Sequence, residues 1–175
     1  MFFSILFSWF VFYGSKAISK DELVFEEIYP PVGNNAFEPS IFGTQNNELI
    51  MSWMEDDNGL VAINAAVLNN GKWSEPSQVS ASRDIYVNWA DFPSIAALGD
   101  GTIIVHWLEK SGTSAYAYDI RVSLSQDKGA SWSYPFQPHL DRTIAQHGFV
   151  SILPLKDTFI LFWLDARAYE GSLVE

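Results

Sequence analysis

The sequence predicts an all-β protein assembled from repeated four-stranded antiparallel sheets, and three observations support this prediction. First, an apolar run that ends in tryptophan occurs three times, at intervals of about 55 residues. The tryptophans are Trp53, Trp107 and Trp163. Second, a short Ser-Ile segment precedes each run, and third, no stretch keeps a helical period of 3.6 residues. Four short strands per unit at this interval are typical of the blades of a β-propeller.

The strands of one unit follow from local sequence signals, taken in chain order. The Ser-Ile segment is the predicted first strand, and a Gly-Asp-Gly turn at residues 99–101 separates it from the next strand in the second unit. The second strand is the apolar run that ends at tryptophan. Because this run is apolar on both faces, we expect it to be buried between sheets. Third strands are predicted at residues 60–68 and 119–125, and fourth strands are predicted to begin near Trp73 and Trp132.

The units predict how the chain is organised. Residues 20–175 are expected to form a propeller fragment, with blades at about 36–85, 90–142 and 147–175, the last one incomplete. Two and a half blades cannot close a ring, so we expect a longer parent protein whose next blade would cover the exposed face of the third.

Residues 1–19 are predicted to be a signal peptide. Residues 2–13 form a nearly unbroken apolar run, which has the length of a signal-peptide core and is shorter than the ~20 residues of a membrane span. Small residues follow, and the composition turns polar at Lys20. The pattern predicts a secreted or periplasmic protein that meets the membrane only through this segment. The alternatives are a buried strand and an N-terminal membrane anchor.

The composition excludes several classes of function. The 175 residues include 21 acidic and 10 basic residues, which gives a formal net charge of -11. Such a charge repels phosphate backbones, so nucleic acid is not an expected partner. The absence of cysteine excludes disulfides, thiolate metal sites and cysteine nucleophiles.

One segment fits the Asp-box pattern Ser-x-Asp-x-Gly-x-x-Trp, with Ser125, Asp127, Gly129 and Trp132 at its defined positions. Asp127 can accept hydrogen bonds from the backbone N–H groups of the turn that it begins. Gly129 suits a position of positive φ, and Trp132 is expected to pack over the turn. A degenerate copy occurs at residues 69–73 of the first unit. The predicted role of the Asp-box is structural.

With this motif and the repeats, the chain resembles the sialidase-like β-propellers that carry Asp-box (BNR) repeats, over roughly residues 36–170. The resemblance implies a six-bladed ring with a pocket at one end of its axis. In the exo-α-sialidases of that family, three arginines bind the carboxylate of a terminal sialic acid, an aspartate is the acid/base, and a tyrosine activated by a glutamate is the nucleophile. The first-blade motif Phe/Tyr-Arg-Ile-Pro of these enzymes corresponds here to Ala-Phe-Glu-Pro at residues 36–39, which contains no arginine.

The candidate site residues lie on loops at the end of the blades opposite the Asp-box turn, since ligand sites form on loops above a rigid scaffold. Asp91, just before an inner strand, is the candidate acid/base, and capping of its loop is the alternative role. The candidate substrate-binding residues are Arg83, Trp89, Tyr118, Arg142, His147 and Arg167. Guanidinium groups bind carboxylates in a bidentate manner, so the expected ligand is an acidic glycan.

Several of these residues have structural alternatives. Arg83 and Arg142 each lie near an acidic residue and could form surface pairs, and Arg167 could brace its loop through Asp165. His147 could be an ordinary loop histidine, while Arg121 is expected to pair with Asp119 or with a neighbouring blade. The spacing of histidines and carboxylates predicts no metal site, and no motif predicts a cofactor.

Two functions from different classes follow. The first is an exo-α-sialidase-like glycoside hydrolase that acts on a terminal acidic sugar, with the fragment itself expected to be inactive. The alternative is a non-catalytic propeller that binds carbohydrate or protein, which the missing first-blade arginine favours. A truncated gene product without function is a third possibility.

Overall fold

The computed structural model describes residues 26–169, and within that range the regular structure is β-strand apart from one 3-10 turn at Arg167–Tyr169. Ten strands form three antiparallel sheets that follow one another along the chain. The predicted signal peptide at residues 1–19 lies outside the described residues. No helix with the length and apolar character of a membrane span occurs in the described range.

Blade 1 is a four-stranded sheet whose outermost strand is broken. Its first three strands are β1 (Ala36–Gly43), β2 (Leu49–Asp57) and β3 (Leu60–Asn69), each paired antiparallel with the next. Both β4 (Lys72–Trp73) and β5 (Ser77–Ser82) then pair with β3. The break between them contains Pro76, which has no N–H to donate to the ladder.

Blade 2 contains β6 (Ile95–Ala97), β7 (Ile103–Lys110) and β8 (Tyr118–Ser125) in that order. The fourth strand predicted to begin near Trp132 is reduced to one isolated bridge between Val122 and Phe136. Prolines at 135 and 138 flank this bridge and cannot donate hydrogen bonds, so the strand does not extend. Blade 3 contains β9 (His147–Leu155) and β10 (Thr158–Asp165).

The three sheets pack face to face in chain order, and their cores lie between neighbouring blades. Met54 and Ile63 of blade 1 belong to one buried cluster with Val105 and Trp107 of blade 2. A second cluster joins Leu108 and Ile120 of blade 2 to Leu161 and Trp163 of blade 3. As predicted, β7 is apolar on both faces, and residues 103–108 are all buried.

The three repeat tryptophans occupy equivalent positions on the second strand of each blade. Trp107 faces blade 1 and Trp163 faces blade 2, while Trp53 packs on the corresponding face of blade 1 beside Ala36 and Trp73. Successive antiparallel sheets stacked in this manner are blades of a β-propeller, and the all-β prediction is confirmed.

Candidate functional site

A cavity of about 260 Å³ opens between the inner strands of blades 2 and 3. Its polar lining comes from Asp91, Ser94, His106 and Ser151, and Phe92 and Phe149 line its apolar side. The carboxyl group of Asp91 is the acidic side chain of this lining. The cavity therefore combines a proton-bearing group with aromatic surface, as small-molecule sites commonly do.

Asp91 is held by its own loop and by the next blade. Asn88 forms a turn with it, because the Asp91 N–H donates to the Asn88 carbonyl at 3.2 Å and the Asn88 carboxamide donates to Asp91 Oδ2 at 2.9 Å. The N–H of Phe149 donates to Asp91 Oδ1 at 2.5 Å. Burial raises the pKa of Asp91, and the Phe149 hydrogen bond lowers it in part. A carboxyl group with a raised pKa retains its proton to higher pH, as a general acid requires.

Phe149, whose N–H donates to Asp91, has a strained backbone conformation that also occurs at the equivalent position of blade 1. Phe149 has φ 53, and Glu38, the corresponding residue of blade 1, has φ 50. A β-bulge occurs at both places, where the register of the inner strand shifts. Non-glycine residues seldom adopt such backbone angles, so the Asp91 hydrogen bond helps to hold this start of blade 3.

Tyr118 lies beside Asp91 and is buried. Its ring stacks on that of Tyr86 with centroids 4.3 Å apart. Gly148 permits this arrangement, since a Cβ there would stand 2.9 Å from Tyr118 Cε2 and 3.4 Å from Asp91 Oδ1. Burial, and then the charge of Asp91, raise the pKa of Tyr118 to about 12. Tyr118 therefore stays protonated, and its ring provides a packing surface.

A second group of polar side chains surrounds the buried ring of His147, and we name it the histidine cluster. Its members are Asp119, His139, Asp141, His147, Asp165 and Arg167. His147 Nδ1 lies 3.3 Å from Asp119, and its Nε2 lies 3.1 Å from Asp141 and 3.7 Å from Asp165. The ring of His139 stacks on that of His147 at 4.3 Å.

The environment of the histidine cluster shifts the pKa of several members, His139 and Asp165 among them. Burial, and then the neighbouring His147, lower the pKa of His139. Burial acts to raise the pKa of Asp165, but hydrogen bonds from Arg167 and Trp163 outweigh it and lower that pKa to about 2. Arg167 Nε donates to Asp165 at 2.8 Å and lies 3.5 Å from Asp141. This arginine is already paired within the cluster.

The structure brings some of the predicted site residues together and separates others. Asp91, Tyr118 and His147 converge around Gly148, and Arg167 joins them through the histidine cluster. Trp89 is 84 % exposed on the loop that carries Asp91. Arg83 instead donates to the carbonyl of Asn58, on the β2–β3 turn of blade 1, at 2.9 Å.

Two further arginines do not join the convergent group. Arg142 is exposed on the connection between blades 2 and 3. The expected pairing of Arg121 with Asp119 is wrong. Arg121 Nε contacts Glu109 at 2.6 Å, its diagonal neighbour across the β7–β8 pair, while Asp119 faces His147.

The Asp-box turn has the geometry that its spacing predicts. Asp127 accepts hydrogen bonds from Ser125 Oγ and from the Ser131 N–H, both at 2.8 Å, and Gly129 has φ 86. Trp132 Nε1 donates to Ser77 Oγ of blade 1 at 3.0 Å. The turn thus contributes a contact between neighbouring blades. It lies on the β8 end that is remote from Tyr118 and the candidate site.

Sequence reasoning did not single out two features of this region. His139 and Asp119 lie 8 and 28 residues before His147 in the chain, and these intervals match no regular metal-ligand spacing. His106 is 1 % exposed and lines the Asp91 cavity. Neither of its ring nitrogens makes a hydrogen bond of regular geometry within the described part of the chain, and burial lowers its pKa to about 4.

The chain matches no protein-family model and no curated protein sequence. Its fold is similar to that of the α-L-arabinanase of Penicillium chrysogenum complexed with arabinobiose, with a TM-score of 0.50 and 16% identity over 78% of this chain and 43% of that chain. It is also similar to the α-L-arabinofuranosidase of Fusarium graminearum in complex with an iminosugar inhibitor, with a TM-score of 0.50 and 18% identity over 81% of this chain and 45% of that chain.

These structural similarities establish the fold. They carry no information on activity, because the sequence identities are so low. The chain spans less than half the length of either structure. The two structures are those of an α-L-arabinanase and an α-L-arabinofuranosidase, and neither is a sialidase. The predicted partial β-propeller is therefore confirmed, and the finer sialidase assignment stays a prediction.

Proposed function

We propose that this protein is the glycan-binding part of a β-propeller glycoside hydrolase, in which Asp91 donates a proton to the departing sugar oxygen. The observation that carries the proposal is the state of Asp91: its carboxyl group is almost buried at a cavity of about 260 Å³, and its pKa is raised. The similar propellers solved with arabinobiose and with an iminosugar inhibitor give the proposal its substrate class.

The surroundings of Asp91 suit this chemistry. Cleavage of a glycosidic bond requires protonation of the leaving oxygen while the sugar acquires positive charge. Asn88 and the Phe149 N–H fix the orientation of the Asp91 carboxyl group, so little reorganisation precedes proton transfer. Trp89 and Tyr116, which are 84 % and 56 % exposed, offer aromatic faces at the same end of the blades on which a sugar ring can stack.

The charge distribution favours a neutral sugar over an acidic one. Three carboxylates of the histidine cluster lie near the site, and the Nε of Arg167 is already paired with two of them. An acidic sugar, as an exo-α-sialidase would bind, remains the second form of the proposal. It is supported by Arg167, whose side chain is 50% exposed, and by the exposed Arg142.

A non-catalytic carbohydrate-binding propeller is the competing function, and one observation favours it. Among the described residues, no second carboxylate lines the cavity that holds Asp91. Hydrolysis of a glycosidic bond ordinarily uses a pair of such groups, with tyrosine as nucleophile in sialidases. The catalytic form of the proposal therefore requires a partner group outside that cavity.

The experiment compares hydrolysis and binding by the full-length protein. Hydrolysis is measured with nitrophenyl arabinofuranoside, arabino-oligosaccharides and a fluorogenic sialoside, and binding of the same sugars by calorimetry. Asp91→Asn should lower the hydrolysis rate by about 10²–10⁴-fold while binding persists, which is the usual contribution of a general acid. Asp84→Asn, an exposed aspartate on the same inter-blade connection, is the matched control and should change neither.

Each other outcome decides between the functions. Binding without turnover would select the non-catalytic propeller, and a loss of that binding in Trp89→Ala would place the ligand at the Asp91 end. Hydrolysis that Asp91→Asn leaves unchanged would contradict the role of Asp91. The absence of binding to all of the sugars would contradict both functions.

A further inference from the structure

The histidine cluster contains three side chains with the chemistry and placement of metal ligands. Asp119 is the second residue of β8 in blade 2, His147 begins β9 of blade 3, and His139 lies on the connection between them. One potential ligand atom from each of these residues lies within 4.8 Å of the others. Both imidazoles are buried and Asp119 is partly buried, so the three groups meet away from bulk water.

The distances approach those of a coordination shell. Ligand atoms about 2.1 Å from a tetrahedral ion stand about 3.4 Å from one another. Asp119 Oδ1 lies 3.3 Å from His147 Nδ1 and 4.0 Å from His139 Nε2. These two distances lie close to that value, and all three potential ligand atoms lie within 4.8 Å of one another.

Both rings are held by contacts with neighbouring polar groups. His147 Nε2 lies 3.1 Å from Asp141 Oδ2, and a proton held there leaves a lone pair on Nδ1, which lies 3.3 Å from both Asp119 Oδ1 and the Tyr118 carbonyl oxygen. Asp141 is itself fixed by the hydroxyl of Thr143 at 2.7 Å. The Gln137 carboxamide nitrogen lies 3.0 Å from His139 Nδ1 and 3.1 Å from His139 Nε2, and ligation through Nε2, which faces Asp119, requires the proton of the neutral ring to be on Nδ1.

The negative charge of the histidine cluster also favours the binding of a cation. Its ionic side chains are Asp119, Asp141, Asp165 and Arg167. Three carboxylates face one guanidinium, so the side chains other than the imidazoles carry an excess of two negative charges. One divalent ion balances that excess. Buried charges without such compensation are costly.

We propose that Asp119, His139 and His147 bind a divalent transition-metal ion of the Zn²⁺ type and thereby tie blade 3 to blade 2. Two imidazoles with one carboxylate suit Zn²⁺ better than Ca²⁺ or Mg²⁺, which prefer oxygen ligands. Three protein ligands leave one position of a tetrahedral ion for water. The ion spans the inter-blade junction, and the proposal does not depend on the glycan-binding function.

The test uses the full-length protein, freed of metal by a chelator and then dialysed. Zn²⁺ uptake is measured by calorimetry, Co²⁺ is added as a spectroscopic probe of the ligand set, and thermal unfolding is recorded with and without Zn²⁺. We expect one Zn²⁺ per chain and a higher unfolding temperature when it is bound. Bound Co²⁺ should show the visible absorption of an ion in a coordination site of low symmetry. Ca²⁺ at the same concentration should produce no shift.

Variants locate the ion. Asp119→Asn and His139→Gln should each weaken Zn²⁺ binding by at least about tenfold, whereas the control Asp157→Asn, an exposed aspartate on the β9–β10 turn, should bind like wild type. Circular dichroism establishes that each variant is folded, and if His139→Gln does not fold, Asp119→Asn decides. The proposal is overturned if folded wild type takes up no Zn²⁺, if Ca²⁺ binds as tightly, or if folded variants at these ligands keep wild-type affinity.

Discussion

Gly148 lies where the inner strand of blade 3 begins, and replacing it with alanine tests how that strand is seated on blade 2. The added Cβ would stand 2.9 Å from Tyr118 Cε2 and 3.4 Å from Asp91 Oδ1. Carbon atoms in contact are normally about 3.5–4.0 Å apart, so a neighbour must move by more than half an ångström. The Tyr118 ring is 1 % exposed and stacked on Tyr86, which leaves it little room to move.

We therefore expect Gly148→Ala to lower the free energy of unfolding by about 1–3 kcal/mol, the usual cost of overpacking. The melting temperature should fall by about 2–4 °C for each kcal/mol in a chain of this size. Urea unfolding monitored by tryptophan fluorescence measures the change. Gly43→Ala, at the end of the inner strand of blade 1, is the control, because its Cβ would meet only Leu49 Cδ2 at 3.7 Å.

The control should stay within about 0.5 kcal/mol of wild type. Equal stability of Gly148→Ala and wild type would refute the close approach of β9 to Tyr118. It would also remove the basis for placing Asp91, Tyr118 and His147 in one site.

Two other predictions concern the Asp-box. Hydrogen bonds from Ser131, and then from Ser125, lower the pKa of Asp127 to about 2, so the stability that they provide is present above about pH 4 and is lost as the pH falls toward 2. Asp127→Asn should therefore unfold at a lower temperature than wild type at pH 7 and lose less stability between pH 4 and 2. Melting temperatures that fall by the same amount with pH in the two proteins would contradict this. Trp132→Phe and Ser77→Ala should each cost about 0.5–1.5 kcal/mol, and their double-mutant cycle should show coupling, since both remove the 3.0 Å inter-blade hydrogen bond. Additive effects would mean that this bond contributes nothing.

Local sequence signals predicted most of the fold. The period of the tryptophans identified three blades, and the run of β7 predicted a strand buried on both faces, because strand patterning depends only on neighbouring residues. The Asp-box turn was predictable for the same reason: Asp127 and Gly129 act within eight residues of chain. The fourth strand of blade 2 was mispredicted, since the prolines beside Phe136 interrupt a pairing that tryptophan alone suggested.

The candidate site was predictable only in part. The position of Asp91 before an inner strand pointed to the cavity, but its hydrogen bond to Phe149 joins residues that lie far apart in the chain. No spacing rule would have paired Arg121 with Glu109, which depends on the β7–β8 register.

The sequence by itself thus determined the strands, their repeat and the turns, because hydrogen-bonding periods and φ preferences operate over a few residues. Only the tertiary structure decided which side chains share a site. Asp119, His139 and His147 meet because blade 3 packs on blade 2, and the register and twist of two sheets set that contact. The local sequence around any one of these residues does not predict that contact.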